Sequence, residues 1–257
     1  MNNPLNEWLQ TKYVGRNTLV LDSIESTNDY AKNLLVENPP DGTVVISRIQ
    51  TKGRGQKTNS WLSPEGGLYY SCILNALTDD KLTMITLTCG IACHDAIKEL
   101  CSLPVRLKWV NDIQFNDKKI GGILTESRLR SNSASLIIGV GINVNNDTQT
   151  LPEDLRDIST SIYNETATCF NIYQLAALVS NNIEKYIELY HSNNHKLIKS
   201  LWIKNSINLG KKIQFVINEI KKEGIIIDIS EHGALIIQSY DGKEYQLSSN
   251  QDIVYLD

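Results

Sequence analysis

The sequence predicts an α+β fold: a mixed β-sheet flanked by helices, followed by a small all-β domain. Three observations predict it. Short apolar, strand-like runs alternate with helical patterns through the first 208 residues. Residues 171–190 carry Ile172, Leu175, Ala176, Val179, Ile183, Tyr186, Ile187 and Tyr190 at helical spacing, one apolar face for a core. From Lys211 the texture changes to five short β runs, punctuated by Gly224, His232-Gly233 and Asp241-Gly242, the pattern of a small barrel. The expected domains are 1–208 and 209–257. The second is marginal as an independent core and should pack on the first.

Taken in order, residues 18–21 (T-L-V-L) read as a strand. Ser26 and Asp29 stand at capping-box spacing and open a helix that runs through Ala31, Leu34 and Leu35 and stops before Pro39-Pro40. Free N–H groups at such a helix start can face a polar ligand, or Ser26, Thr27 and Asn28 can simply cap. Residues 44–46 and 68–74 are apolar strands on either side of a polar loop, 50–61. Residues 82–100 form a second helix. Residues 105–109 alternate as a strand and 119–126 return as its hairpin-like partner, with an Asn116-Asp117 turn in the polar connection. Residues 134–144 are a β-branched strand whose Gly139 and Gly141 suggest close approach by a ligand or neighbour. Residues 196–207 continue as a shorter helix. The later β runs cover 213–217, 224–229, 234–238, 244–247 and 253–256.

The 25 basic and 29 acidic residues leave a net charge of −4, which argues against a general binder of nucleic-acid backbone. No stretch approaches the roughly 20 apolar residues of a membrane span, and the N-terminus has no leader pattern. Five cysteines without a C-x-x-C suggest reduced thiols in a cytoplasmic protein. Cys89, Cys93 and His94 cluster, but small buried hydrophobes are the better reading than metal ligands. There is no G-x-x-x-x-G-K-[ST], no complete dinucleotide fingerprint, no G-x-S-x-G and no H-E-x-x-H.

Three polar stretches carry the chemistry. Residues 50–61 read Q-T-K-G-R-G-Q-K-T-N-S-W, with Gly53 and Gly55 beside cationic Lys52, Arg54 and Lys57. Glycines permit positive φ and close backbone approach, successive N–H groups can form an anion nest, and a guanidinium suits phosphate or carboxylate. The other two are K-W-V-N-D at 108–112 and K-I-G-G at 119–122.

Together with Ser26-Thr27-Asn28, G-V-G-I-N-V at 139–144 and G-A-L-I-I at 233–237, these stretches resemble the biotin protein ligases. The resemblance covers most of the chain and fits the short form of that family, which lacks an N-terminal DNA-binding domain. It implies a catalytic domain related to class II aminoacyl-tRNA synthetases and lipoate ligases, with a C-terminal SH3-like barrel. It also implies a two-step reaction. Biotin's carboxylate attacks the α-phosphate of ATP to give biotinyl-5′-AMP, and a carrier-domain lysine then takes the biotinyl group.

Carried over by position, Ser26, Thr27, Asn28, Gln50, Gly53, Arg54, Gly55, Gln56, Lys119, Gly121 and Gly122 are the expected biotin contacts. Arg54, Gln56, Trp61, Lys108, Asn111, Asp112 and Asn143 are expected near ATP, with Asp112 a candidate Mg²⁺ ligand. Arg54, Lys119 and Asp112 are the expected catalytic groups, the two cations screening carboxylate from phosphate. Core packing is the alternative for Trp61 and the favoured reading for Trp109. Implied partners are biotin, ATP and the carrier domain of a biotin-dependent carboxylase, with a homodimer possible and neither nucleic acid nor membrane expected.

Two departures matter. The family loop is often G-R-G-R-x-G-R-x-W, whereas here Gln56 and Asn59 stand for arginines and Thr58 for a glycine, so faster release of the adenylate is expected. Only 17 residues precede the first strand, too few for a helix-turn-helix, so no operator binding is expected. A lipoate ligase is the nearest rival, and a non-catalytic binding module a second. Ser26, Thr27, Asn28 and Gln50 suit a ureido ring and favour biotin.

Overall fold

The computed structural model describes residues 3–75, 82–130, 133–249, 251 and 253–256. A seven-stranded sheet is built from β1 (Thr18–Ile24), β2 (Val44–Gln50), β3 (Leu68–Asn75), β4 (Arg106–Lys108), β5 (Asp112–Phe115), β6 (Lys118–Arg130) and β7 (Ser133–Ile142). Their order is β1-β2-β3-β7-β6-β5-β4, with β1 and β2 parallel and every other pair antiparallel.

The pleat gives the sheet two unlike faces. Val44, Ile46, Leu68, Cys72, Leu74, Leu136, Ile138, Val140 and Ile142 belong to the main core. There they pack with α2 (Leu82–Cys101), α5 (Ile172–His191) and α6 (His195–Asn205). The alternate residues face α1 (Thr27–Leu34), where Val45, Ile73 and Ile137 meet Ala31 and Leu35. On this second face the middle of the sheet is lined by a cluster of small residues: Ser71 on β3 pairs with Gly139 on β7, and Gly122 on β6 pairs with Gly141. A floor without bulk, beside a helix start, leaves room for a ligand.

One strand was unforeseen. Residues 105–109 do not pair with 119–126; β4 pairs with β5, and β5 forms the hairpin with β6. Asn116 and Asp117 both take positive φ, 47° and 62°, which is what a two-residue hairpin turn requires. The four residues D-I-Q-F are too short and polar to announce a strand, but their backbone pairs on both sides. Between β7 and α5 lie two short helices, α3 (Glu153–Arg156) and α4 (Ile162–Thr166), in a stretch that gave no pattern.

Strands β8 (Lys212–Ile217), β9 (Ile220–Ile229), β10 (Leu235–Ser239), β11 (Glu244–Leu247) and β12 (Ile253–Leu256) make a second, antiparallel sheet ordered β11-β10-β9-β8-β12. It grips the connection between β4 and β5. The Trp109 N–H donates to Asn208 Oδ1 (2.7 Å) and its indole Nε1 donates to the Gly233 carbonyl (2.9 Å). Lys199 and Asp228 add an ion pair of 2.6 Å. Trp109 is therefore a core residue, as favoured.

Cys72, Cys89 and Cys93 are buried, and burial pushes all three thiols up, Cys93 to about 12. They are unreactive packing residues. Among the described residues no helix is long and apolar enough to cross a membrane.

Candidate active site

A cavity of about 250 Å³ opens on the small-residue face of the first sheet. The α1 start, the 50–61 loop, the β4–β5 connection and β6 meet around it. Ser26, Thr27, Asn28, Gln50, Arg54, Gly55, Gln56, Trp61, Asn111, Asp112, Lys119 and Gly122 all line it. Residues from Ser26 to Gly141, 115 positions apart in sequence, thus share one hollow, which no single motif could announce.

Ser26 caps α1, its Oγ accepting from the Asp29 N–H (3.4 Å). The reciprocal half of a capping box is not made, because the Asp29 carboxylate turns to Arg54 (2.9 Å) and Lys32 (3.5 Å). The next two residues are buried and wired inward. Gln50 Oε1 accepts from the Thr27 N–H (2.8 Å) and hydroxyl (3.1 Å), and Gln50 Nε2 donates to Ser63 Oγ (2.8 Å). Asn28 lies directly over Gly139: a β-carbon there would come within 2.4 Å of Asn28 Oδ1. The Ser71 hydroxyl donates to that Oδ1 (2.6 Å) and also touches Thr27 Oγ1 (2.8 Å).

In the loop, neither Gly53 nor Gly55 takes positive φ; Lys57 does, at 56°. Gly53 is needed for closeness instead, since a β-carbon there would lie 2.4 Å from the Trp61 carbonyl. Trp61 seats its indole on Gly141, where an added β-carbon would be 2.7 Å from Nε1. Buried, that Nε1 has no hydrogen-bond partner, and neither does Arg54 Nε.

The two expected cations each have a carboxylate partner. Arg54 and Lys119 share the cavity but not the same end of it. Arg54 forks onto Glu126, Nη1 to Oε1 at 3.1 Å and Nη2 to Oε2 at 2.6 Å. Lys119 pairs with Asp112 (2.5 Å) and stands 5.4 Å from the Trp61 ring centre, beside Gly122. Glu126 is four residues beyond Gly122 on β6, about 13 Å along the strand. Each cation is therefore held by its own carboxylate, Arg54 by Glu126 and Lys119 by Asp112.

Glu126 was not singled out from sequence, although it ends the K-I-G-G-I-L-T-E stretch. It also accepts from Lys32 Nζ (2.6 Å) and Asn28 Nδ2 (2.8 Å). Burial alone would raise its carboxyl, but the bonds from Arg54, Lys32 and Asn28 hold it below the usual carboxylate range. Its signal was the period of two: Gly122, Leu124 and Glu126 share the cavity face of β6.

Four expected residues do not line the cavity. Gly53 packs behind the loop, and Gly121 points at Ile113 and Ile142 in the core. Lys108 lies over the Tyr255 ring, 4.7 Å from its centre. Asn143 is buried; its Nδ2 donates to the Thr160 carbonyl (3.0 Å) and its Oδ1 accepts from Asn146 (3.2 Å), which ties down the following loop. Among the described residues no group of three His, Cys, Asp or Glu side chains could hold a metal ion.

Comparison with known proteins gives one answer. The family model described as the biotin/lipoate A/B protein ligase family matches residues 20–143. The bifunctional ligase/repressor BirA of Bacillus spizizenii is 31% identical over 237 residues, covering 91% of this chain and 73% of that protein. Biotin–protein ligase 2 of Arabidopsis thaliana is 28% identical over 254 residues, covering 96% and 73%. The biotin protein ligase of Aquifex aeolicus, solved in complex with biotin and ATP, superposes with a TM-score of 0.82 at 30% identity, over 94% of this chain and all of that one.

Proposed function

The chain belongs to the biotin protein ligases, and from that premise we propose how its cavity works. It is an ATP-dependent ligase that makes biotinyl-5′-AMP and passes the biotinyl group to a lysine of a biotin carboxyl carrier domain. The observation that carries the reading is the convergence of Ser26, Thr27, Asn28 and Gln50 at one end of a single hollow with Lys119 and Asp112 at the other.

Biotin lies with its ureido ring at the α1 end. Asn28 Oδ1 and the Ser26 hydroxyl offer an acceptor and a donor there, which a ring with two N–H groups and a carbonyl needs. A dithiolane has no such groups, which favours biotin over lipoate. The acyl chain runs over Gly139 and past Gly122 toward Lys119. There the carboxylate attacks the α-phosphate of ATP and pyrophosphate leaves. Lys119 leaves Asp112 to stabilise the charge on the reacting oxygens. Asp112 is a lone carboxylate, a donor set that suits an ion carried largely by the triphosphate. Asp112 would hold Mg²⁺ in that way, and the ion would neutralise phosphate charge.

Arg54 takes a different part from the one its sequence suggests. Neutralised by Glu126 and Asp29, it tethers the 50–61 loop over the cavity. The loop in turn brings Trp61, Gln56 and Gly55 against the adenylate and keeps water from the anhydride. The carrier lysine amine then attacks the mixed anhydride and AMP leaves. We assign catalysis to residues 1–208 and a supporting role to 209–257, whose Gly233 carbonyl braces Trp109 two residues before Asn111. The working place is the cytoplasm, and a homodimer is compatible with the reading.

The deciding experiment incubates the protein with ATP and either biotin or lipoate and follows bound adenylate by mass spectrometry. Biotinyl-AMP is expected with biotin alone. Lipoyl-AMP, or no adenylate at all, would overturn the reading.

A further inference from the structure

The Asn28 amide is nearly saturated before any ligand arrives. Its two N–H groups go to Glu126 Oε2 (2.8 Å) and the Leu124 carbonyl (3.3 Å), and its oxygen accepts from Ser71 (2.6 Å). An amide oxygen has two lone pairs. One lone pair on Oδ1 is therefore all that Asn28 has left to offer, and it sits in the lining of the cavity.

What fixes this polarity is the partner's charge. An ionised carboxylate can only accept, so the atom of Asn28 that faces Glu126 must be the nitrogen. Two cations hold Glu126 in the ionised form: Arg54, through a two-pronged contact, and Lys32 at 2.6 Å. Ser71, fully buried on β3, completes the lock from the opposite side, because its hydroxyl can donate to the oxygen. Without the carboxylate only the longer contact with the Leu124 carbonyl (3.3 Å) would hold the nitrogen inward, so the amide could turn over and present N–H groups to the ligand, which repels a ring that itself brings N–H groups.

We infer that Glu126 is a positioning residue that sets the hydrogen-bond polarity of Asn28, and through it the preference of the cavity for a ring bearing N–H donors. The inference rests on the biotin reading above. It assigns to Glu126 no contact with substrate.

The test compares two non-hydrolysable esters of AMP, one with biotinol and one with octanol, by calorimetry on the intact protein. Both carry the same nucleotide, so only the ring end separates them. Wild type should prefer the biotinol ester. In Glu126→Gln, which keeps shape and loses charge, that preference should fall at least about ten-fold, over and above the common loss that both esters share as the Arg54 tether loosens. A structural role alone would weaken both esters together and leave their ratio intact, and that result overturns the inference. Asn28→Ala should lose the same preference, and adding Glu126→Gln to it should lose no more; a further drop would mean Glu126 acts by another route. Equal wild-type affinities would sink the biotin reading itself, whereas a wild-type preference that survives Glu126→Gln sinks only the inference.

Discussion

At the α1 end of the cavity Asn28 keeps a single lone pair for a ligand, whereas at the far end Lys119 and Asp112 chiefly hold each other. The first arrangement is rigid: Ser71, Gly139, Gln50 and Glu126 fix Thr27 and Asn28 from four separate strands. The second is exchangeable. Lys119 is 32% exposed and Asp112 24%, and a pair that open contributes about 0–1 kcal/mol. A ligand phosphate can take the place of Asp112 on Lys119 at small cost. Recognition is therefore built into the fold, while the charge that drives chemistry is released only when an anion arrives. Each of the following predictions would break or sharpen that contrast.

The largest effect belongs to the exchangeable end. Lys119→Ala removes the cation nearest the reacting oxygens and should lower pyrophosphate release about 10²-fold or more, some 3 kcal/mol of barrier. Its melting temperature should stay close to wild type, since the lost pair adds little to stability. Wild-type turnover in this variant would remove Lys119 from the chemistry.

The two glycines of β7 separate the ends within one strand. In Gly139→Ala the new methyl would meet Asn28 Oδ1 at 2.4 Å, so biotin KM should rise, by up to about 10²-fold for a displacement near 1 Å. In Gly141→Ala it would meet Trp61 Nε1 at 2.7 Å, and the rise should fall on ATP instead. Each variant controls for the fold of the other. A common rise in both constants would mean that the cavity responds as one unit and has no separable ends.

How much of this was written in the sequence follows from range. Ser26 at a helix start, the glycine loop and the hairpin turn at Asn116-Asp117 are local, and turn chemistry and period announce them. The K-I-G-G stretch was legible as a motif, but it could not say that Gly122 faces the cavity while Gly121 faces Ile113; a bulge between Ile113 and Gln114 resets the alternation there. Arg54 looked like a phosphate ligand because its loop is cationic, and the carboxylate that claims it lies 72 positions away. Lys108 and Asn143 sat inside persuasive motifs and serve Tyr255 and Thr160 instead. Long-range pairing of opposite charges and of amides leaves no local signature, so the polar wiring was the part that sequence could not give.

Acid should attack the rigid end first. Glu126 is held below the ordinary carboxylate value of 4.5, so its contribution to stability is complete above that pH and is lost as pH falls through the depressed value. Wild type should lose more melting temperature between about pH 5 and pH 3 than Glu126→Gln, which has no such proton to take up. Parallel curves for the two proteins would mean that Arg54, Lys32 and Asn28 do not favour the charged form.

The smallest effect is expected on the loop that spans both ends. Gln56 lines the cavity with Gly55 and Trp61, but it brings an amide where the family often has arginine. An amide can hydrogen-bond to a phosphate oxygen, yet it adds no charge, and charge-assisted bonds are about twice as strong. Arg54 makes up little of the difference, since Glu126 and Asp29 engage both its terminal nitrogens and neutralise its charge, leaving Nε as the nitrogen without a partner. The adenylate should therefore leave this enzyme readily, and Gln56→Arg should slow its dissociation several-fold while the biotin KM stays put. Rapid dilution of the preformed complex, followed by release of labelled adenylate, measures the rate. An unchanged rate would mean that retention depends on the rigid end alone, with the loop acting as a cover and not as a clamp.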